Sequence, residues 1–190
     1  MTGQWRANVS RQIQSQLGWA FSLLVLAFGS SVLGLALSAS WLGLRLNDSP
    51  SMPTGLYVRT SSDSNATLVV FCPAGPFARL SMERGYRSRG NCPDGAVPLA
   101  KPIAARPGDN VELSATSLAV NGRLLANTAA LEKDSAGRPL LHWPFGRYVV
   151  AQGTVWVASS FSSRSFDSRY FGPVEARQVR EHVRPLLTAR

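Results

Sequence analysis

The sequence predicts a mainly β fold of short strands, tethered by one N-terminal transmembrane helix. Between Arg11 and Arg45 lie 33 residues without a single Asp, Glu, Lys or Arg. Beyond that run the pattern changes to short β-like segments broken by Gly, Pro, Asn, Asp and Ser. Among them Asn121-Gly122 separates Leu118-Ala119-Val120 from Arg123-Leu124-Leu125, a two-residue hairpin signal whose central residues both tolerate positive φ. Setting the apolar run aside leaves 144 residues, 47–190, enough for one compact domain with its own core. A polytopic transporter, a multidomain enzyme, a disordered tail protein and a Cys-dense secreted scaffold are thereby disfavoured.

Residues 17–44 are apolar or small throughout, and 28 helical residues reach about 42 Å, where a hydrocarbon core of roughly 30 Å needs only about 20 residues. The run exceeds the apolar stretch of about 7 to 15 residues in a cleaved signal peptide. Ala36-Leu37-Ser38 nevertheless offers small residues at a cleavage-like spacing, so removal of the segment stays open. Arg6 and Arg11 precede the run, while Arg45 and Asp48 offset each other after it. The positive-inside rule then keeps residues 1–16 in the cytoplasm and exports residues 47–190. Trp19 and Trp41 fit interfacial anchors.

In the exported part, strands are expected at Gly55 to Arg59, Thr67 to Phe71, Val97 to Ala104, Asn110 to Leu113, Ser117 to Val120, Arg147 to Val150 and Thr154 to Ala158. The one helical candidate runs from Pro76 to Arg87. Ser61 to Asn65 reads as a hairpin tip and Leu131 to Pro139 as a solvated loop. No glycine fingerprint of a nucleotide fold occurs. The net charge of +9 comes from 18 Arg and 2 Lys that are scattered rather than clustered, so no nucleic-acid partner is expected. Cys72 and Cys92 are the only cysteines; export places them in an oxidising compartment and favours a disulfide over free buried thiols. Two cysteines with no nearby His give poor support for zinc, and no metal or cofactor is expected.

Ser51 stands between two prolines, where a turn residue is the commoner reading. A serine nucleophile needs a base, and neither His142, among Leu141, Trp143 and Pro144, nor His182, in a charged C-terminal stretch, favours a Ser/His/Asp triad. Lys101 is different. Basic positions are Arg almost everywhere, yet Lys101 sits in Val97-Pro98-Leu99-Ala100-Lys101-Pro102-Ile103-Ala104-Ala105. A buried Lys can lose its proton and Arg cannot, so Lys101 is either a snorkelling side chain or a general base.

Four ordered boxes bear on that choice: Ser49-Pro50-Ser51-Met52-Pro53; Lys101 through Arg106-Pro107-Gly108-Asp109-Asn110-Val111; Leu118-Ala119-Val120-Asn121-Gly122; and Asp167-Ser168-Arg169-Tyr170-Phe171-Gly172-Pro173. Together they resemble type I signal peptidases, the Ser/Lys serine proteases of family S26, whose β domain is tethered by an N-terminal membrane helix. The single-Met serine box with its Pro-Thr-Gly-Leu-Tyr continuation, Phe71-Cys72-Pro73, Arg84-Gly85-Tyr86 and Gly90-Asn91-Cys92-Pro93 are more similar to the TraF-type conjugative transfer peptidases. The resemblance implies Ser51 as nucleophile and Lys101 as general base, with the Ser51 N–H and the Ser49 hydroxyl as oxyanion hole. It also implies that Ser165 positions the lysine amine and that Asp167 and Arg169 form a supporting ion pair. Where the bulk signal peptidases carry a Gly-Asp-Asn-Arg-type turn, this chain has Ser159-Ser160-Phe161-Ser162-Ser163-Arg164. The implied activity is processing of a pilin precursor for conjugation, with cyclisation in the best-known case, from the periplasmic side of a bacterial inner membrane. The implied partners are the bilayer, a membrane-inserted propilin or preprotein substrate and other transfer-apparatus proteins. A general signal peptidase and a catalytically silent tethered β module are the competing expectations.

Overall fold

The computed structural model describes residues 19, 22–35, 37–38, 41–61 and 66–189. The chain divides into two units, Met1–Leu44 and Arg45–Arg190. In the first, residues 22–35 are helical and every one of them is exposed. Among the described residues no helix is long and apolar enough to cross a membrane. The expected cytoplasmic segment 1–16 and parts of the expected span 17–44 lie outside the described residues.

The second unit is built on a seven-stranded sheet of order β1-β2-β11-β3-β4-β9-β10 and a four-stranded sheet of order β7-β6-β5-β8. The strands are β1 (Leu44–Asn47), β2 (Gly55–Thr60), β3 (Leu68–Phe71), β4 (Leu99–Ala105), β5 (Asn110–Leu113), β6 (Leu118–Val120), β7 (Arg123–Leu124), β8 (Gly146–Val149), β9 (Thr154–Val157), β10 (Val174–Glu175) and β11 (Val179–Thr188). All the expected strands are present, with ends moved by one or two residues. From β2 across to β10 each pairing is antiparallel. The Asn121-Gly122 turn joins β6 to β7 with φ of 50° and 80°, as a two-residue hairpin requires.

Three elements depart from expectation. β11 carries Arg180, Glu181, His182, Arg184 and Pro185, yet it lies inside the sheet, between β2 and β3. Pro185 is accommodated where the register with β2 shifts, between Pro185 and Leu187. That insertion corrects the hairpin reading of Ser61 to Asn65: β2 and β3 are not neighbours, and residues 62–65 lie outside those described. The loop from Leu131 to Pro139 is also no merely solvated segment. The Asp134 side chain is only 5% exposed and accepts from Tyr86 Oη (2.5 Å) and Arg138 Nε (2.7 Å).

The helix α1 (Gly75–Glu83) starts on Pro76, whose fixed φ and missing N–H suit a first turn, and stops before Gly85, which takes φ of 70°. A disulfide links Cys72 to Cys92 across this segment, with Cα atoms 5.6 Å apart.

The core has three parts that β4 and β9 connect. Ala105, Val111, Leu113, Leu118 and Trp156 lie together; Val69, Phe71, Val157 and Val174 form a second cluster; Met52, Tyr57, Leu68 and Val183 form a third. Met52 follows Ser51, so the residue after the candidate nucleophile is a core plug. A second short helix, α2 (Ser168–Phe171), ends at Gly172 with φ of 78°. A Cβ there would stand 2.6 Å from ring atoms of Trp143, so only glycine fits both the backbone and the contact.

Candidate active site

Ser51 and Lys101 come from segments 50 residues apart in sequence, and the fold brings them into contact. β1 delivers the chain to the Ser49–Pro53 turn, which Asn47 holds together. Its side-chain oxygen accepts from the Ser49 N–H (3.2 Å), and its amide donates to the carbonyls of Ser49 (3.3 Å) and Pro53 (3.2 Å). Tyr57 Oη donates to the same Pro53 carbonyl (2.7 Å). Lys101 stands opposite Val69 in the β3–β4 ladder, in the interior of the sheet.

The amine of Lys101 is 3.0 Å from Ser51 Oγ and 3.0 Å from Ser165 Oγ. Lys101 is 5% exposed. Burial lowers its pKa, Asp167 opposes the shift and Arg169 adds to it, and the amine is brought down from 10.5 to about 8. Ser51 N–H donates to Ser49 Oγ at 3.3 Å, so the two expected oxyanion donors are adjacent and bonded to one another.

Asp167 and Arg169 are fully buried as an ion pair, with Arg169 Nε 2.8 Å from Asp167 Oδ1 and Nη2 3.0 Å from Oδ2. Asp167 also caps α2 by accepting from the Arg169 N–H. Burial disfavours the guanidinium charge, but the bonds to Asp167 outweigh that and raise the Arg169 pKa. The same guanidinium donates to the carbonyls of Ser165 (2.7 Å) and Ala129 (2.8 Å). Every residue of the expected set in the catalytic region, Ser49, Ser51, Lys101, Ser165, Asp167 and Arg169, therefore lies in one connected cluster.

Ser159 escaped the sequence reading, because a serine in the run Ser159-Ser160-Phe161-Ser162-Ser163 carries no distinguishing signal. It is fully buried, and its hydroxyl donates to the Ser51 carbonyl at 2.5 Å. Alternation along Pro98 and the start of β4 sends neighbours to two cavities. Leu99 and Lys101, with Ser49, Ser51, Tyr86 and Phe166, line one of about 320 Å³. Pro98 and Ala100, with Met52, Tyr57, Val70 and Val183, line a larger, mostly apolar cleft of about 670 Å³. Neither histidine lines the dyad's cavity. His142 is exposed and stacked on Phe145, and His182 lies in β11.

Comparison with known proteins places the chain in a family. The family "Signal peptidase, peptidase S26" matches residues 19–186. The chain belongs to that family. It is 36% identical over 147 residues to a plasmid transfer protein TraF of Escherichia coli, an alignment covering 76% of this chain and 82% of that protein. It is 35% identical over 148 residues to a conjugal transfer protein TraF of Agrobacterium fabrum, with the same coverages. Among solved structures, a signal peptidase I from Enterococcus faecalis aligns with 65% of this S26 chain and 98% of its own, at 20% identity and a TM-score of 0.36.

Proposed function

We propose that the chain is a membrane-anchored serine endopeptidase that uses a Ser51/Lys101 dyad to process a pilin precursor for conjugative transfer. The observation that carries this reading is the buried amine of Lys101, 3.0 Å from Ser51 Oγ and with its pKa lowered to about 8. Neutral Lys101 accepts the Ser51 proton while donating to Ser165; Ser51 Oγ attacks the carbonyl carbon of the scissile bond; the leaving amine takes the proton back. The developing oxyanion displaces the contact between Ser51 N–H and Ser49 Oγ and receives a hydrogen bond from each. Water resolves the acyl-enzyme in hydrolysis. A substrate amine in its place forms a new peptide bond, which would give a cyclic product. The apolar cleft beside Met52 and Ala100 suits short apolar residues before the cleaved bond.

The anchor is supported by the uncharged run of residues 17–44 and by the apolar side chains exposed from Leu23 to Leu37. In this reading the catalytic unit is periplasmic, on the inner membrane, and meets membrane-inserted propilin there alongside other transfer proteins. The names of the relatives support conjugation as the setting. Coexpression with the propilin of the same transfer region, followed by mass measurement of the product, tests the reading. A shortened pilin formed with the wild type and absent with Ser51→Ala is expected. Cleavage of many unrelated signal peptides would favour the general signal peptidase instead, and an unprocessed propilin with no signal peptide cleaved would leave the silent module.

A further inference from the structure

We infer that Ser159 is a positioning residue for the nucleophile, the link through which the buried ion pair fixes Ser51. The inference rests on Ser51 and Lys101 being the reacting pair. The Ser159 hydroxyl spends its whole bonding capacity in one place. It donates to the Ser51 carbonyl (2.5 Å) and accepts from the N–H groups of Phe161 (3.1 Å) and Ser162 (3.2 Å). Its own N–H donates to Asp167 Oδ2 at 3.1 Å. Asp167 is locked to Arg169, and Arg169 in turn holds the Ser165 carbonyl at 2.7 Å. One ion pair thus reaches both members of the dyad, Lys101 through Ser165 and Ser51 through Ser159.

The Ser51 carbonyl is the group that needs such a hold. Its N–H side is committed to the oxyanion position, and its side chain must stay free to attack, which leaves the carbonyl as the remaining handle on the residue. Pinning it fixes ψ at Ser51, and with the buried Met52 on the far side of the same peptide it sets the direction of the Cα–Cβ bond toward Lys101. Misplacing a reacting atom by about 1 Å can cost on the order of 10²-fold in rate. The Lys101 amine bonds to Ser51 and Ser165 and not to the Ser159 hydroxyl, so loss of that hydroxyl should change how well Ser51 is aimed and leave the titration of the base where it is.

The test uses the full chain in detergent and p-nitrophenyl acetate, which needs no knowledge of the natural substrate. Ser51 Oγ bonds to the acetyl carbon, its proton passes to Lys101 and p-nitrophenolate leaves; acetylation is located by mass. Acylation of the wild type and none of Ser51→Ala establishes the reading on which the inference rests, and an unacylated wild type overturns both. Ser159→Ala should then acylate at least tenfold more slowly at the high-pH plateau, with the midpoint of the pH limb unchanged. Ser168→Ala is the control, since Ser168 is equally buried and its hydroxyl accepts from Val157 N–H (2.9 Å) rather than touching Ser51. It should acylate at close to the wild-type rate after correction for folded fraction. If Ser159→Ala does not fold, Ser159→Cys keeps the volume with a weaker donor and carries the same comparison. Wild-type acylation by the Ser159 variant, or an equal slowing by Ser168→Ala, overturns the assignment.

Discussion

Under the proposed dyad, Lys101 is placed for chemistry at the expense of stability. An exposed lysine keeps a pKa near 10.4, whereas this one is brought to about 8, chiefly by burial. Below pH 8 folded and unfolded states both hold the proton, and the folded state bears the full cost of a buried ammonium, about 3 kcal/mol for a displacement of this size. Between pH 8 and the unfolded value the folded state sheds its proton first, so stability rises with pH across that window. Activity should rise over the lower part of it, with a midpoint near 8, because only the neutral amine accepts a proton from Ser51. Lys101→Met removes both effects: at pH 7 it should be inactive in the acylation assay and more stable to urea by about 1–3 kcal/mol. An inactive variant that is no more stable than the wild type would mean that the charge is not buried at a cost. Asp167 predicts the opposite balance. Asp167→Asn leaves the Arg169 guanidinium in the interior without its counter-charge, which should cost about 3–5 kcal/mol. In the fraction that stays folded, activity should fall by less than in Ser51→Ala, as rates normalised to folded protein would reveal. An equal loss would give Asp167 a direct chemical part.

At the scale of elements, the disulfide and α1 form the part of the domain most dependent on a covalent closure. The bridge joins Cys72, directly after β3, to Cys92, and encloses α1 and the Arg84-Gly85-Tyr86 turn. Closing a loop of this length contributes on the order of 3 kcal/mol by the chain-entropy account. Reduction should therefore lower the urea midpoint, and amide exchange should speed up first in residues 75–90 while β3 and β4 stay protected. Uniform loss of protection would mean that the bridge supports the whole sheet. What the sequence could reveal about elements follows the same division between local and long-range. The Asn121-Gly122 hairpin and the strands with clear apolar runs were legible because turn chemistry and alternation are local signals. β11 was not, since Arg180, Glu181, Arg184 and Pro185 give it the appearance of a solvated tail, and its place between β2 and β3 depends on pairing over more than 100 residues. The site divides likewise: Ser51 and Lys101 stand in recognisable boxes, whereas Ser159 matters only through a contact spanning 108 positions.

For the whole molecule, the proposed periplasmic setting draws on charge and on redox chemistry. The first is charge: Arg6 and Arg11 precede an uncharged run of 33 residues, and Arg45 and Asp48 cancel after it, an asymmetry that the positive-inside rule translates into an expected cytoplasmic N-terminus. The second is redox: the Cys72–Cys92 bridge lies in the same unit as the proposed dyad, and disulfides persist in oxidising compartments, whereas cytosolic thiols are kept reduced. The bridge is expected from export itself, so each point needs its own measurement. A reporter that is active only after export, fused behind Arg190, should be active, and mass spectrometry without reduction should recover the two cysteine peptides linked. Replacing Arg6 and Arg11 by Glu should reduce the exported fraction, because it removes the bias that orients the run. Should a cytoplasmic reporter at Arg190 be active instead, the catalytic unit would face the wrong side for exported precursors and the bridge would lie in a reducing compartment. The topology and the periplasmic setting would then fall together, while the contact between Ser51 and Lys101 would still need a substrate.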